Sequence, residues 1–162
     1  MRLTGLVMLG ALALGGCYTS GKNSLYSDKF VQPIADGVYV SGDNTRLLKR
    51  MPDGRYAMLL NANKKANEVR LAVLPGQAKT FVGQVSTDDG NIYVAIRPEK
   101  KGFAVLSPSC TDVPDQTAAK GYGSYEETLS VCQFTSAKAL ESALTNVIAA
   151  APASRWDHYV KR

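Results

Sequence analysis

One histidine, one tryptophan and three cysteines are all that 162 residues contain of these types. A single imidazole cannot build the histidine-rich sites that zinc commonly takes. A Ser–His–acid triad would have to use His158, four residues from the last residue of the sequence, where ordering is usually poor. There is no Cys-x-x-Cys, no Gly-x-Ser-x-Gly, no phosphate-cradling glycine loop and no Asp-x-Asp-x-Asp-Gly calcium pattern. Carboxylate pairs occur at Asp88/Asp89, Asp112/Asp115 and Glu126/Glu127. The first belongs to a hairpin turn, and the last, being adjacent, points to opposite faces of a strand. Asp112 and Asp115 lie in a long loop. A general acid or base needs no local motif, but no catalytic set is visible, so the expectation is a protein that is not an enzyme, with no cofactor and no metal. No Lys/Arg run exceeds two residues and the net charge is only +5, which argues against nucleic acid as a partner. A spanning helix is also missing. The apolar run Leu3–Leu14 is shorter than the ~20 residues that a membrane crossing needs, and Gly5 and Gly10 interrupt it.

What is present begins at the same place. Met1-Arg2 precedes that run, which ends in Leu14-Gly15-Gly16-Cys17. A basic start, a short apolar stretch and small residues before a cut are the layout of an export signal. With the cysteine in place it resembles the lipobox of bacterial lipoproteins, although Gly15 stands where alanine or serine is usual. The resemblance covers Met1 to Cys17, about a tenth of the chain. It implies that residues 1–16 are removed and that Cys17 is acylated. Tyr18 rather than aspartate after the cysteine implies sorting to the inner leaflet of the outer membrane, not retention on the inner membrane. Removing sixteen of 162 residues leaves 146, one domain's worth, and loss of Arg2 lowers the charge from +5 to +4.

With Cys17 assigned to lipid, Cys110 and Cys132 remain in an oxidising compartment. One pair has one connectivity, so a structural disulfide is expected, stabilising by roughly 3 kcal/mol in the chain-entropy model.

Residues 17–29 are polar and lack periodicity, which predicts a flexible lipidated tether, and residues 30–162 then form one β-rich domain. From Gly37 onward short β-type runs alternate with turn signals: 37–41, 45–51, 55–61, 68–74, 79–86, 91–97 and 103–107. Connections of two to six residues cannot hold a crossover helix, so neighbouring strands are antiparallel. Val69, Leu71 and Val73 share one face, as do Ile92, Val94 and Ile96, which predicts a meander with one dry and one wet face. Glycine opens several aromatic-bearing strands, a pattern shared by a duplicated hairpin and by ordinary turn chemistry.

Ser109–Thr128 carries Asp112, Asp115, Tyr122 and Tyr125 without a clear element, and 129–134 reads as the last strand. Residues 136–150 form the one convincing helix, capped by Thr135 or Ser136 and striped by Leu140, Leu144 and Val147. In the tail, either Trp156 and Tyr159 with Arg155, Lys161 and Arg162 dock a protein, a glycan or a lipid surface, or Trp156 folds back over the seam between helix and sheet. The fold expected is mainly β: an antiparallel meander of seven to eight strands, as a bent sheet or small barrel, with one C-terminal helix packed on it.

The leading functional expectation is a lipid-anchored, periplasm-facing protein with a structural or adaptor role toward another envelope protein or wall component. Its interaction surface would draw on Asp112, Asp115, Tyr122, Tyr125, Trp156 and Tyr159. Two alternatives stay open: a small-ligand binder using the mouth of a barrel, and an inhibitor or accessory factor of an envelope hydrolase. A deep apolar cavity points to the binder, and a flat exposed apolar patch to the adaptor.

Overall fold

The computed structural model describes residues 18–61, 65–112, 123–126 and 131–162. Its frame is a closed antiparallel barrel of eight strands: β2 (Gly37–Ser41), β3 (Asn44–Arg50), β4 (Tyr56–Leu60), β5 (Asn67–Val73), β6 (Phe81–Thr87), β7 (Gly90–Glu99), β8 (Gly102–Leu106) and β11 (Asp157–Lys161). Seven follow one another as hairpins. β11 then pairs with β8 on one side and β2 on the other, which closes the ring. The turns form where the sequence asks for them. Gly54, at φ 88°, stands between β3 and β4 in a conformation that side-chain-bearing residues rarely adopt.

A second layer lies outside the wall. β1 (Tyr18–Thr19) pairs with the first half of β7, and β10 (Val131–Phe134) runs parallel to β1 and antiparallel to β9 (Gly123–Glu126). Helix α1 (Ala137–Ala150) is capped by Ser136, whose Oγ accepts from the Ala139 N–H at 3.2 Å. Its buried residues Leu140, Ala143, Leu144 and Val147 cover Val82, Tyr93, Ala95, Ala104 and Leu106 on the outer faces of β6, β7 and β8. The Cys110–Cys132 disulfide forms as expected and ties β10 to the end of β8, with both cysteines buried in this outer core.

Several sequence expectations change. β7 is dry on both faces, because Ile92, Val94 and Ile96 point inward while Tyr93 and Ala95 are covered from outside. The stretch after Cys17 is docked, not a free tether. Tyr18 is wholly buried, its ring 4.8 Å from that of Phe134. Polar residues that suggested a linker are instead matched to polar groups on the barrel wall. Ser20 Oγ lies 2.7 Å from the Tyr93 hydroxyl, which also donates to Gln84 Oε1 at 3.0 Å, and Gln84 Nε2 donates to Ser24 Oγ at 2.7 Å. Tyr26 donates to Glu141 on α1 at 2.9 Å, and burial together with that carboxylate raises its phenol well above the ordinary range. The strand at 131–134 is not the last, since β11 follows α1. β9 falls within the stretch expected to hold no element.

Barrel closure depends on one close approach. An added Cβ at Gly102 would lie 1.8 Å from the Tyr159 carbonyl oxygen. Gly102→Ala must therefore push β8 and β11 apart, as overpacking does elsewhere. We expect a loss of about 3 kcal/mol, read as a lower urea midpoint with unchanged slope. An unchanged midpoint would show that closure tolerates the extra methyl.

Candidate functional site

The alternation that buries one face of each strand sends the inward residues of all eight to a common interior. Leu48, Met58, Val69, Leu71, Val94, Ile96, Phe103 and Tyr159 line it. An eight-stranded barrel has an interior just wide enough to be filled by side chains or to hold one small ligand. Here the side chains leave a cavity of about 290 Å³.

One end is closed by the chain that enters the barrel. The Val31 N–H donates to the Leu71 carbonyl at 2.9 Å. Tyr56 accepts from the Ile34 N–H at 3.0 Å and donates to the Ile34 carbonyl at 2.9 Å. Burial pushes the Tyr56 phenol up to about 12, so it keeps the proton that the second bond requires. Tyr39 donates to the Ala35 carbonyl at 2.7 Å, which fixes the turn into β2. Ile34, 5% exposed, is thus held as the cavity floor.

The opposite end is the mouth. Asn44 begins β3, Leu60 ends β4, Ser107 follows β8 and Asp157 begins β11, so the strand directions place all four at that end. Arg46 stands one inward position below Asn44, with its guanidinium carbon 5.4 Å from the centroid of the Tyr159 ring. Tyr159 stacks on Phe103 at 5.1 Å, and Phe103 meets Tyr39 edge-on at 5.0 Å. These aromatic contacts stiffen the wall on Arg46's side.

Of the expected interaction residues that are described, Trp156 and Tyr159 lie on opposite sides of the barrel wall. Tyr159 faces the barrel interior. Trp156 lies outside, 8% exposed within the outer core, with Arg97 4.3 Å above its ring. Trp156 thus folds back onto the outer core, whereas Tyr159 enters the barrel instead of covering the seam. Asp112 is engaged as well: it accepts from the Ser109 N–H at 2.7 Å and from Arg155 at 3.0 Å. Burial alone would raise its pKa, but these bonds and the Arg155 charge outweigh it and hold the carboxyl below the ordinary value. The Asp112–Arg155 pair therefore ties the chain after β8 to the start of β11. For Tyr125 only the main chain is described, opposite Cys132. Asp115, Tyr122 and the proposed lipidation site Cys17 lie outside the described residues.

His158 pairs with Glu99 at 2.9 Å on the outer wall, away from the cavity. Among the described residues no group of three or more His, Cys, Asp or Glu side chains could hold a metal ion. Sequence reasoning marked the inward faces of β5 and β7 but missed the wall residues of β3, above all Arg46. Their signal was parity: Asn44, Arg46 and Leu48 alternate with outward residues, so a charge occupies an inward position. No protein-family model matches the chain, and neither the curated proteins nor the solved structures provide a match, so the geometry of the barrel carries the functional reading.

Proposed function

We propose that the protein is a non-catalytic barrel that binds a small apolar molecule, exported and held at the envelope through a lipid on Cys17. The observation that carries this is the open cavity of about 290 Å³ whose walls are mostly hydrocarbon and aromatic. A barrel stabilised only by packing has no use for such a space. Unfilled apolar volume costs stability in proportion to its size, so a persistent cavity supports the reading of a site kept for a guest. The closed floor and the stacked wall mean the space exists before the guest arrives, which spares the ordering cost of binding.

The adaptor reading keeps one supporting observation. Val38 and Leu47 are register partners on the outer face of β2 and β3 and are 36% and 41% exposed, and Val160 on β11 is 50% exposed. This patch lies away from α1 and suits a partner protein that the loaded or empty barrel would address.

The test is a filled cavity. Val94→Trp places an indole where the guest would lie. Saturable one-to-one binding of apolar probes by the native protein, measured by calorimetry, should weaken at least about tenfold in the variant while the cooperative unfolding transition persists. Unchanged binding by a folded Val94→Trp protein would put the guest elsewhere, and no binding by the native protein would remove the ligand reading.

A further inference from the structure

We propose that the guest is a single-chain amphiphile with an anionic end, a fatty-acid-like carboxylate, whose head is held by Arg46 and whose chain runs down the barrel. The proposal rests on reading the interior as a ligand site and names the class of molecule that enters it.

Among the described residues lining the cavity, Arg46 is the only base and Asp157 the only acid. Four other arginines have carboxylate partners, Arg50 with Asp36, Arg55 with Asp53 and Glu68, Arg70 with Glu68 and Arg155 with Asp112, whereas Arg97 lies over the Trp156 ring on the outer wall. Arg46 forms no ion pair among the described residues. Its Nη1 reaches the Thr45 carbonyl at 3.4 Å, the long end of hydrogen bonding, and its plane is held near the Tyr159 ring. A guanidinium has five N–H donors in a fork that matches a carboxylate. A charge set into an apolar wall without a counter-charge is costly, and an anionic guest supplies one.

Depth favours Arg46 over Asp157 as the recognising charge. Asp157 is exposed at the rim, where water and salt screen it. Arg46 is half-buried beside Leu48 and Tyr159, where the lower dielectric strengthens its attraction for an anion. Below it the described wall residues carry no further charge as far as the floor at Ile34, which suits a hydrocarbon chain. A head near the mouth with a tail toward the floor satisfies both regions together.

The experiment compares decanoate, decanol and decyltrimethylammonium, each below its micelle concentration, titrated calorimetrically into the delipidated mature protein and its Arg46→Gln and Arg46→Lys variants. Decanoate should bind the native protein about tenfold more tightly than decanol. Arg46→Gln should erase that preference, and Arg46→Lys should restore part of it. Equal binding of all three probes by the native protein would overturn the assignment of the head group while sparing the ligand site. Tightest binding of the cation would overturn it in favour of Asp157. Binding of none would overturn the ligand site itself. The three-probe comparison is made on the native protein, so it decides the matter even if a variant fails to fold.

Discussion

A chain ending at Ala153 is expected to lose its cooperative unfolding transition. The truncation removes β11, and with it Trp156 from the outer core and Tyr159 from the inner one. Each is under a tenth exposed, and losing a buried aromatic side chain of this kind costs about 3–5 kcal/mol. The two together approach the whole stability of an ordinary domain, about 5–15 kcal/mol. The backbone effect adds to this. β8 and β2 both lose a hydrogen-bonded neighbour, so a closed barrel becomes an open sheet with two unpaired edges. Circular dichroism during heating and dye binding to exposed apolar surface should show a molecule with strand content but no sharp transition. A truncated chain that melts within a few degrees of the full one would mean that β11 only decorates the barrel. It would also return Trp156 and Tyr159 to the role of partner contacts.

Why the tail was unreadable as a strand explains much of what the sequence conceals. Its alternation is real: Tyr159 points inward while His158 and Val160 point outward. But β11 is only five residues long and three of them are charged or imidazole-bearing, so nothing local separates it from a solvated tail. What makes it a strand is the pair of edges on either side of the gap, both formed by distant sequence. The hairpins of β2 to β8 were legible for the opposite reason, because each is specified by its own turn residues and a short run of alternation. The docked segment after Cys17 misled in a similar way. Ser20, Ser24 and Tyr26 read as linker until Tyr93, Gln84 and Glu141 are seen to receive them. Parity located inward residues on β5 and β7, although Val73 at the end of β5 is exposed, yet no parity argument yields an empty interior. Whether side chains fill a barrel depends on strand number and tilt, which emerge only when the ring closes. The ligand reading therefore needed the structure, whereas the Cys110–Cys132 bridge needed only a count.

Replacing Cys17 by alanine is expected to move the protein from the membrane fraction to the soluble one almost completely. On the lipobox reading, Cys17 receives the acyl chains, and each buried methylene contributes about 0.8 kcal/mol to anchoring. One chain holds a protein only marginally and two or more hold it stably, so losing the acceptor is close to all-or-none. Electrostatics cannot replace them, because a mature side-chain charge of +4, the sequence total of +5 less Arg2, is mild and is screened at high salt. The substitution should leave the fold alone, since Cys110 and Cys132 pair with each other. The melting temperature therefore serves as the internal control. The position of Cys17 adds a geometric consequence. It immediately precedes β1, which is paired to β7 and β10, so an acylated terminus would seat the outer wall near the bilayer surface with little slack. A barrel held in that way would exchange an amphiphilic guest with the leaflet over a short path. The measurement is fractionation in high salt together with the mass of the amino-terminal peptide. A Cys17→Ala protein that still sediments with membranes, or a native terminus without added lipid mass, would overturn the anchor and leave the ligand cavity to be explained without a membrane.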